Sequence, residues 1–119
     1  MRAKDAVGRY GERVAARHVE AQGLQVLERN WRGSGGELDL VARDGDVLVA
    51  IEVKTRRGTA FGHPAEAVTP EKLARVRRLT GQWLVEHRDV RCREVRVDVV
   101  AVVLPRSGAA QVEHLVGVL

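Results

Sequence analysis

Asp39, Glu52 and Lys54 are ionisable side chains set inside two apolar runs, Glu37-Leu38-Asp39-Leu40-Val41 and Ile51-Glu52-Val53-Lys54. Both runs otherwise have the composition of buried β-strand. An ionised group on a half-buried strand costs free energy unless a partner or a metal offsets it. Asp and Glu oxygens with no cysteine or clustered histidine nearby suit Mg²⁺ or Mn²⁺, not Zn²⁺. Such a cation activates water and stabilises charge on a phosphoryl group. Lys54, two residues after Glu52 on the same strand face, is placed to orient the attacking water or to stabilise charge building on phosphorus.

The elements that must position these groups form a hairpin. Glu37 to Arg43 and Val47 to Thr55 read as strands around Arg43-Asp44-Gly45-Asp46, and Asp-Gly is a strong turn signal. With Asp44-Gly45 as the turn, Arg43 pairs with Asp46, Val41 with Leu48, Asp39 with Ala50 and Glu37 with Glu52. Strand residues alternate faces, so Glu37, Asp39, Glu52 and Lys54 point to one side. Leu38, Leu40 and Ala42 then face Val47, Val49, Ile51 and Val53 on the other. Asp39 and Glu52 become diagonal neighbours about 7–8 Å apart at the backbone. One divalent cation could bridge them, and a slip of one residue would separate the two sets.

The remaining chain predicts an α/β domain in the order α-β-β-β-α-β-β, with one mixed sheet and flanking helices. Asp5 to Gln22 is helical, with Val7, Tyr10, Val14, His18 and Ala21 on one stripe and Gly23 as the stop. Leu24 to Trp31 is a strand ended by Gly33-Ser34-Gly35-Gly36. A loop from Arg56 to Val68, with Gly58, Gly62 and Pro64, precedes a second helix capped by Thr69 and opened by Pro70. That helix runs to about His87, burying Leu73, Val76, Leu79 or Thr80, Trp83 and His87. Glu94 to Leu104 is a long strand, and Gln111 to Val116 a short edge strand.

The chain of 119 residues is read as a single domain over 1–119, too small for two cores. Aromatic residues are only 3%, so Val, Leu and Ala must build the interior. Cys92 is the one cysteine, which excludes an internal disulfide and a cysteine-based zinc site. No apolar run approaches the ~20 residues of a membrane span. Met1-Arg2-Ala3-Lys4-Asp5 opens no secretory signal, so the expected location is cytoplasmic. A net charge of +4 and a pI near 10.0 favour a polyanionic partner. Arginine dominates the positive charge, which suits phosphate contacts but also follows from a GC-rich genome. Against that background, Lys54 is a specific choice.

The D…ExK pattern in a strand-turn-strand context resembles the PD-(D/E)xK phosphodiesterases. From Gly8 to about Val102 the chain also resembles the YraN-type bacterial family, grouped with restriction-endonuclease-like folds and similar to archaeal Holliday-junction resolvases. The matching residues are Gly8-Arg9-Tyr10-Gly11-Glu12, Arg29-Asn30-Trp31-Arg32, Gly36-Glu37-Leu38-Asp39-Leu40-Val41 and Glu52-Val53-Lys54-Thr55-Arg56. Glu66-Ala67-Val68, Lys72 and Arg96-Val97-Asp98-Val99-Val100 also match. Ala50 departs from the aromatic usual before the Ile/Val-Glu-Val-Lys run. The resemblance implies a restriction-endonuclease-like core, metal binding by Asp39 and Glu52, a catalytic Lys54, and Glu12 as a further catalytic and metal-site carboxylate.

Glu12 is also legible from its helix, where Ala15, Ala16 and Val19 would let the backbone approach the sheet. The bland reading pairs it at the surface with Arg9 or Arg13. Glu37 either joins the metal shell or starts its strand in solvent. Asp98 is expected to pair with Arg96 or another arginine. His18 and His87 lie on helix stripes and read as core or boundary residues, not ligands. Lys72, Arg75 and Arg78, with Arg56 and Arg57, are the candidate phosphate contacts, although a charged helix flank is usually a solvated face.

The expected activity is therefore a Mg²⁺- or Mn²⁺-dependent endonuclease hydrolysing DNA, including branched or junction DNA, in the manner of a homodimer. The alternative is a non-catalytic nucleic-acid-binding or accessory protein on the same fold. No base-reading module or series of stacking aromatics selects a substrate, so recognition would rest on shape and phosphates.

Overall fold

A computed structural model describes residues 3–58 and 68–118. The Gly62, Pro64 and Glu66-Ala67 positions of the sequence reading lie outside the described residues. Helix α1 (Ala3–Ala21) leads into strands β1 (Gln25–Gly33), β2 (Gly36–Asp44) and β3 (Val47–Arg57). Helix α2 (Pro70–Glu86) precedes β4 (Glu94–Leu104) and β5 (Gln111–Leu115), so the α-β-β-β-α-β-β order holds. The strands form one sheet in the spatial order β1-β2-β3-β4-β5. The β3–β4 pair is parallel and the other pairs are antiparallel, which makes the sheet mixed.

Parallel neighbours cannot be joined by a tight turn, and α2 lies in the β3-to-β4 connection. It starts where Thr69 accepts a hydrogen bond from the Lys72 N–H, with Pro70 at the first position. Strands β3 and β4 are covered on both faces, which is why they read as nearly unbroken apolar runs. Val47, Val49, Ile51 and Val53 pack with Ala15, Ala16 and Val19 of α1. Leu48 and Ala50 pack with Val76, Leu79 and Trp83 of α2. The helices thus cover opposite faces. No helix among the described residues is long and apolar enough to cross a membrane.

Three features differ from the sequence reading. First, α1 buries Gly11, Ala15, Ala16 and Val19, while Tyr10 is 45% exposed. Close approach decides this: a Cβ on Gly11 would lie 2.7 Å from the Thr55 Cβ, so only small residues fit beneath the helix. Second, Asp44 pairs with Val47, making Gly45-Asp46 the turn. Only Gly45 of that turn has positive φ, at 61°, which matches a hairpin with glycine at the first central position. The register moves by two residues, so facing is kept within the paired stretch Leu40–Asp44. Third, Leu38 packs on the α2 side while Leu40 and Ala42 pack on the α1 side, so the expected continuous apolar face is broken. Glu37, next to Leu38, joins Glu12 of α1 instead of sharing one face with Glu52 and Lys54.

Gly11→Ala gains helix propensity worth about 1 kcal/mol but drives a methyl into Thr55. The expected net loss is about 1–3 kcal/mol in urea denaturation, the cost of overpacking. A stabilised variant would mean that α1 does not seat on β3 through Gly11.

Candidate metal and phosphodiester site

The break in β2 is the structural origin of the site. Within β1, Asn30 has a left-handed backbone, φ 52°, between the ladder pairs Arg29–Leu40 and Trp31–Leu38. Asparagine tolerates that conformation better than other residues with a Cβ. Alternation fails at this point, and Leu38 and Leu40 end up on opposite faces with Asp39 between them. On the other side of β2, the ladder to β3 ends at Leu40–Ile51. Asp39 and Glu52 are the next residues outward. There Asp39 Oδ2 accepts a 2.8 Å hydrogen bond from the Val53 N–H. A side-chain oxygen thus occupies a backbone donor of β3, and the Asp39 carboxylate is fixed between the two strands.

Around it gather the other acids. Asn30 Nδ2 donates to Glu12 Oε1 at 2.9 Å and to Glu37 Oε1 at 3.2 Å. Glu12, Glu37 and Asp39 each offer an oxygen within 4.8 Å of the others, and all three residues are half-buried. Glu52 is drawn to Lys54, with Oε1 3.2 Å from Nζ. Burial, then the charges of Glu52 and Glu12, push the Asp39 carboxyl up from 3.8 to about 8. The Val53 N–H and Lys54 act in the opposite direction and do not cancel the rise. Oxygen donors this close, with one carboxyl forced to hold a proton, are a donor set that a hard divalent cation would relieve.

The structure therefore brings Asp39 together with Glu12, and the paired Glu52 and Lys54 lie near enough for their charges to act on Asp39. It adds Glu37 to the cluster and Asn30 as the residue that orients two of its acids. Asn30 carried no role in the sequence reading. Its signal was an asparagine inside a strand, where that residue is disfavoured.

The basic candidates divide. Arg78 donates to the Ser34 carbonyl at 3.2 Å, and the Arg75 side chain lies against Gly36, so both cover the β1–β2 turn from α2. Lys72 is in the first turn of the same helix. Arg56 is half-buried near the end of β3, and Arg57 lines a separate groove with Val7, Tyr10 and Leu104.

Asp98 pairs with Arg96, as expected. It is fully buried, bonded to Arg96 Nε at 2.9 Å, to His114 Nε2 at 2.7 Å and to the Gly117 N–H at 2.9 Å. Those contacts occupy both oxygens and tie β5 and the following residues to β4. His87 stacks on Trp83 with ring centroids 3.9 Å apart, a boundary role.

Asp39 is protonated in the folded chain at pH values where the unfolded chain has released that proton. Its contribution to stability therefore falls as pH rises from 3.8 towards about 8, then levels off. Asp39→Asn cannot ionise and keeps an oxygen for the Val53 N–H. In EDTA, its Tm relative to wild type should rise between about pH 5 and about pH 8.5. A difference that does not change with pH would contradict the forced proton.

The description "uncharacterised protein family UPF0102" matches residues 11–102, a span that contains every member of the cluster. A UPF0102 protein of Beutenbergia cavernae is 69% identical over 118 residues, covering 99% of each chain. One from Kineococcus radiotolerans is 60% identical over 118 residues, covering 99% of this chain and 97% of its own. One from Streptomyces coelicolor is 57% identical over 119 residues, covering 99% of this chain and 92% of its own.

Proposed function

The chain belongs to the uncharacterised protein family UPF0102, the YraN-type family its motifs resemble, and on that footing we propose that it is a metal-dependent nuclease hydrolysing DNA phosphodiester bonds, with a restriction-endonuclease-like core of the PD-(D/E)xK type. The observation that carries this reading is the Asp39 carboxyl, fixed between parted strands and held near pKa 8 beside Glu12, Glu37 and the Glu52–Lys54 pair.

Asp39, Glu12 and Glu37 would hold a Mg²⁺ or Mn²⁺ ion, with Glu52 completing the set from β3. When bound, such an ion activates water and neutralises charge on a phosphoryl group. The chain's own contributions are positional. Asn30 keeps the Glu12 and Glu37 oxygens turned to a common point. The Val53 N–H prevents the Asp39 carboxylate from rotating away. Glu52 anchors Lys54, whose ammonium would orient the attacking water and stabilise the oxygens of the phosphorane-like transition state. One chain carries one such cluster, so cutting both strands of a duplex or a junction takes two copies, and a homodimer is part of the proposal.

The test is cleavage of single-stranded, duplex and four-way-junction DNA with Mg²⁺ or Mn²⁺, beside calorimetry with Mn²⁺. Wild type should take up Mn²⁺ and cut at least one substrate. Lys54→Ala should bind Mn²⁺ yet lose about 10²–10³-fold in rate, the usual cost of removing one charge-stabilising donor. Asp39→Asn should lose Mn²⁺ binding. If wild type binds no Mn²⁺ at roughly millimolar concentration, the nuclease reading is lost. Mn²⁺ uptake with no cleavage would favour the non-catalytic nucleic-acid-binding alternative.

A further inference from the structure

Sharing Glu12 and Asn30 with the acidic cluster is a cavity of about 80 Å³, lined by Arg9, Glu12, Arg13, Arg29, Asn30 and Leu40. Buried Leu40 is its apolar contribution, and its mouth carries three exposed guanidinium side chains. One water needs roughly 10–15 Å³ of such space, so this is room for several waters and hence for a group the size of a phosphate. Glu12 is its one acid, and Glu12 is already engaged by Asn30 at 2.9 Å. Arg9 and Arg13 make no ion pair among the described residues. Arg13 lies over the Tyr10 ring, 5.8 Å from its centroid. Arg29 has only a long 3.9 Å contact to Glu20, with both side chains about half exposed.

Arginines on an exposed helix usually form a solvated face. Here they come from two elements, α1 and β1, and three of them line one concavity against a single acid, Glu12. Repulsion among like charges around a cavity favours an anion inside it. The guanidinium fork suits a phosphate better than a point charge would.

We infer that this cavity is a phosphate subsite, taking the phosphodiester next to the one being cut. The inference rests on the nuclease reading for its register, because Glu12 and Asn30 line both the cavity and the acidic cluster. A strand with one phosphate at the cluster has its neighbour one side chain away, among the arginines. The strand therefore runs along the N-terminal half of α1 and over β1. Arg75 and Arg78 sit on the other face of the sheet, over the β1–β2 turn, and do not form this subsite. The substrate class is accordingly a polynucleotide with consecutive phosphodiesters, not an isolated diester.

Two readouts separate this subsite from the nuclease reading. The first is anisotropy of a fluorescein-labelled single-stranded DNA 12-mer in EDTA across a salt series, where no cleavage intervenes. Arg9→Gln/Arg13→Gln should bind about 10-fold or more weakly and lose about one to two in the slope of log K against log salt. Arg9→Lys/Arg13→Lys keeps the charge and loses the fork, so it should recover the slope and only part of the affinity. Arg88→Gln, an exposed arginine beyond α2, serves as the control and should change little. The second readout is kcat/KM with Mn²⁺ on bis(p-nitrophenyl) phosphate, a single diester, and on the 12-mer. The double Gln variant should keep activity on the small diester and lose it on the 12-mer.

Unchanged 12-mer binding in the double Gln variant, with its Tm equal to wild type, would overturn the subsite. Equal loss on both substrates would overturn it too, by showing that the arginines act on the cluster itself. Weakened binding with no cleavage by any form would support a phosphate site among these arginines while removing the nuclease reading and, with it, the register beside a cut diester.

Discussion

The hydrogen bond from the Val53 N–H to Asp39 Oδ2 is the contact on which the site depends. In a continuous ladder, β2 would pair onward past Leu40–Ile51 and leave no room for a side chain between the strands. The left-handed backbone at Asn30 lies opposite Asp39 in the β1–β2 register, and beyond Leu40–Ile51 the Asp39 carboxylate takes the place of a backbone acceptor for Val53. The same asparagine then uses its amide to gather Glu12 from α1 and Glu37 from β2. One residue of unusual backbone geometry thus sits where the facing of β2 changes and bonds two acids of the cluster.

That arrangement needs a stiff frame, and the core supplies one. The parallel β3–β4 pair is sealed by α1 on one face and α2 on the other, so Glu52 and Lys54 extend from a strand whose preceding residues are almost all buried. Gly11 lets α1 lie close over Thr55, which sets the depth at which Glu12 enters the site. At the other edge, Asp98 uses its buried carboxylate to hold Arg96, His114 and the Gly117 N–H. Removing one member of such a buried ionic group typically costs several kcal/mol. Its acid is therefore committed to the frame, while Asp39 is held in a state that opposes its own ionisation.

Much of this was legible in the sequence. The element order, the Thr69–Pro70 helix start, the β4 bounds and the grouping of Asp39, Glu52, Lys54 and Glu12 follow from periodicity, turn chemistry and the family motifs. The departures from the sequence pattern share a physical cause. Strict two-residue alternation assigns Leu38 and Leu40 to one face, and no pattern of apolar residues announces that Asn30 will break it. Side-chain size favours a Tyr10 stripe, whereas the helix is seated by the smallest residues available. Asp-Gly suggested the turn, but the adjacent Gly-Asp gave a pairing that brings Asp39 level with Glu52. Arginines 9, 13 and 29 were visible as residues and not as a cavity, because α1 and β1 converge only in the folded chain.

Burial and the charges of Glu52 and Glu12 hold a proton on Asp39, and under the proposed function a divalent cation would displace it. Carbon-13 NMR of the Asp39 side-chain carboxyl, titrated in EDTA and again with Mg²⁺, reads this directly. Without the cation the resonance should titrate near the value of about 8, and with Mg²⁺ the midpoint should move down by at least about one unit. A carboxyl that titrates near 3.8 in EDTA, or one that Mg²⁺ leaves unmoved, would contradict the account.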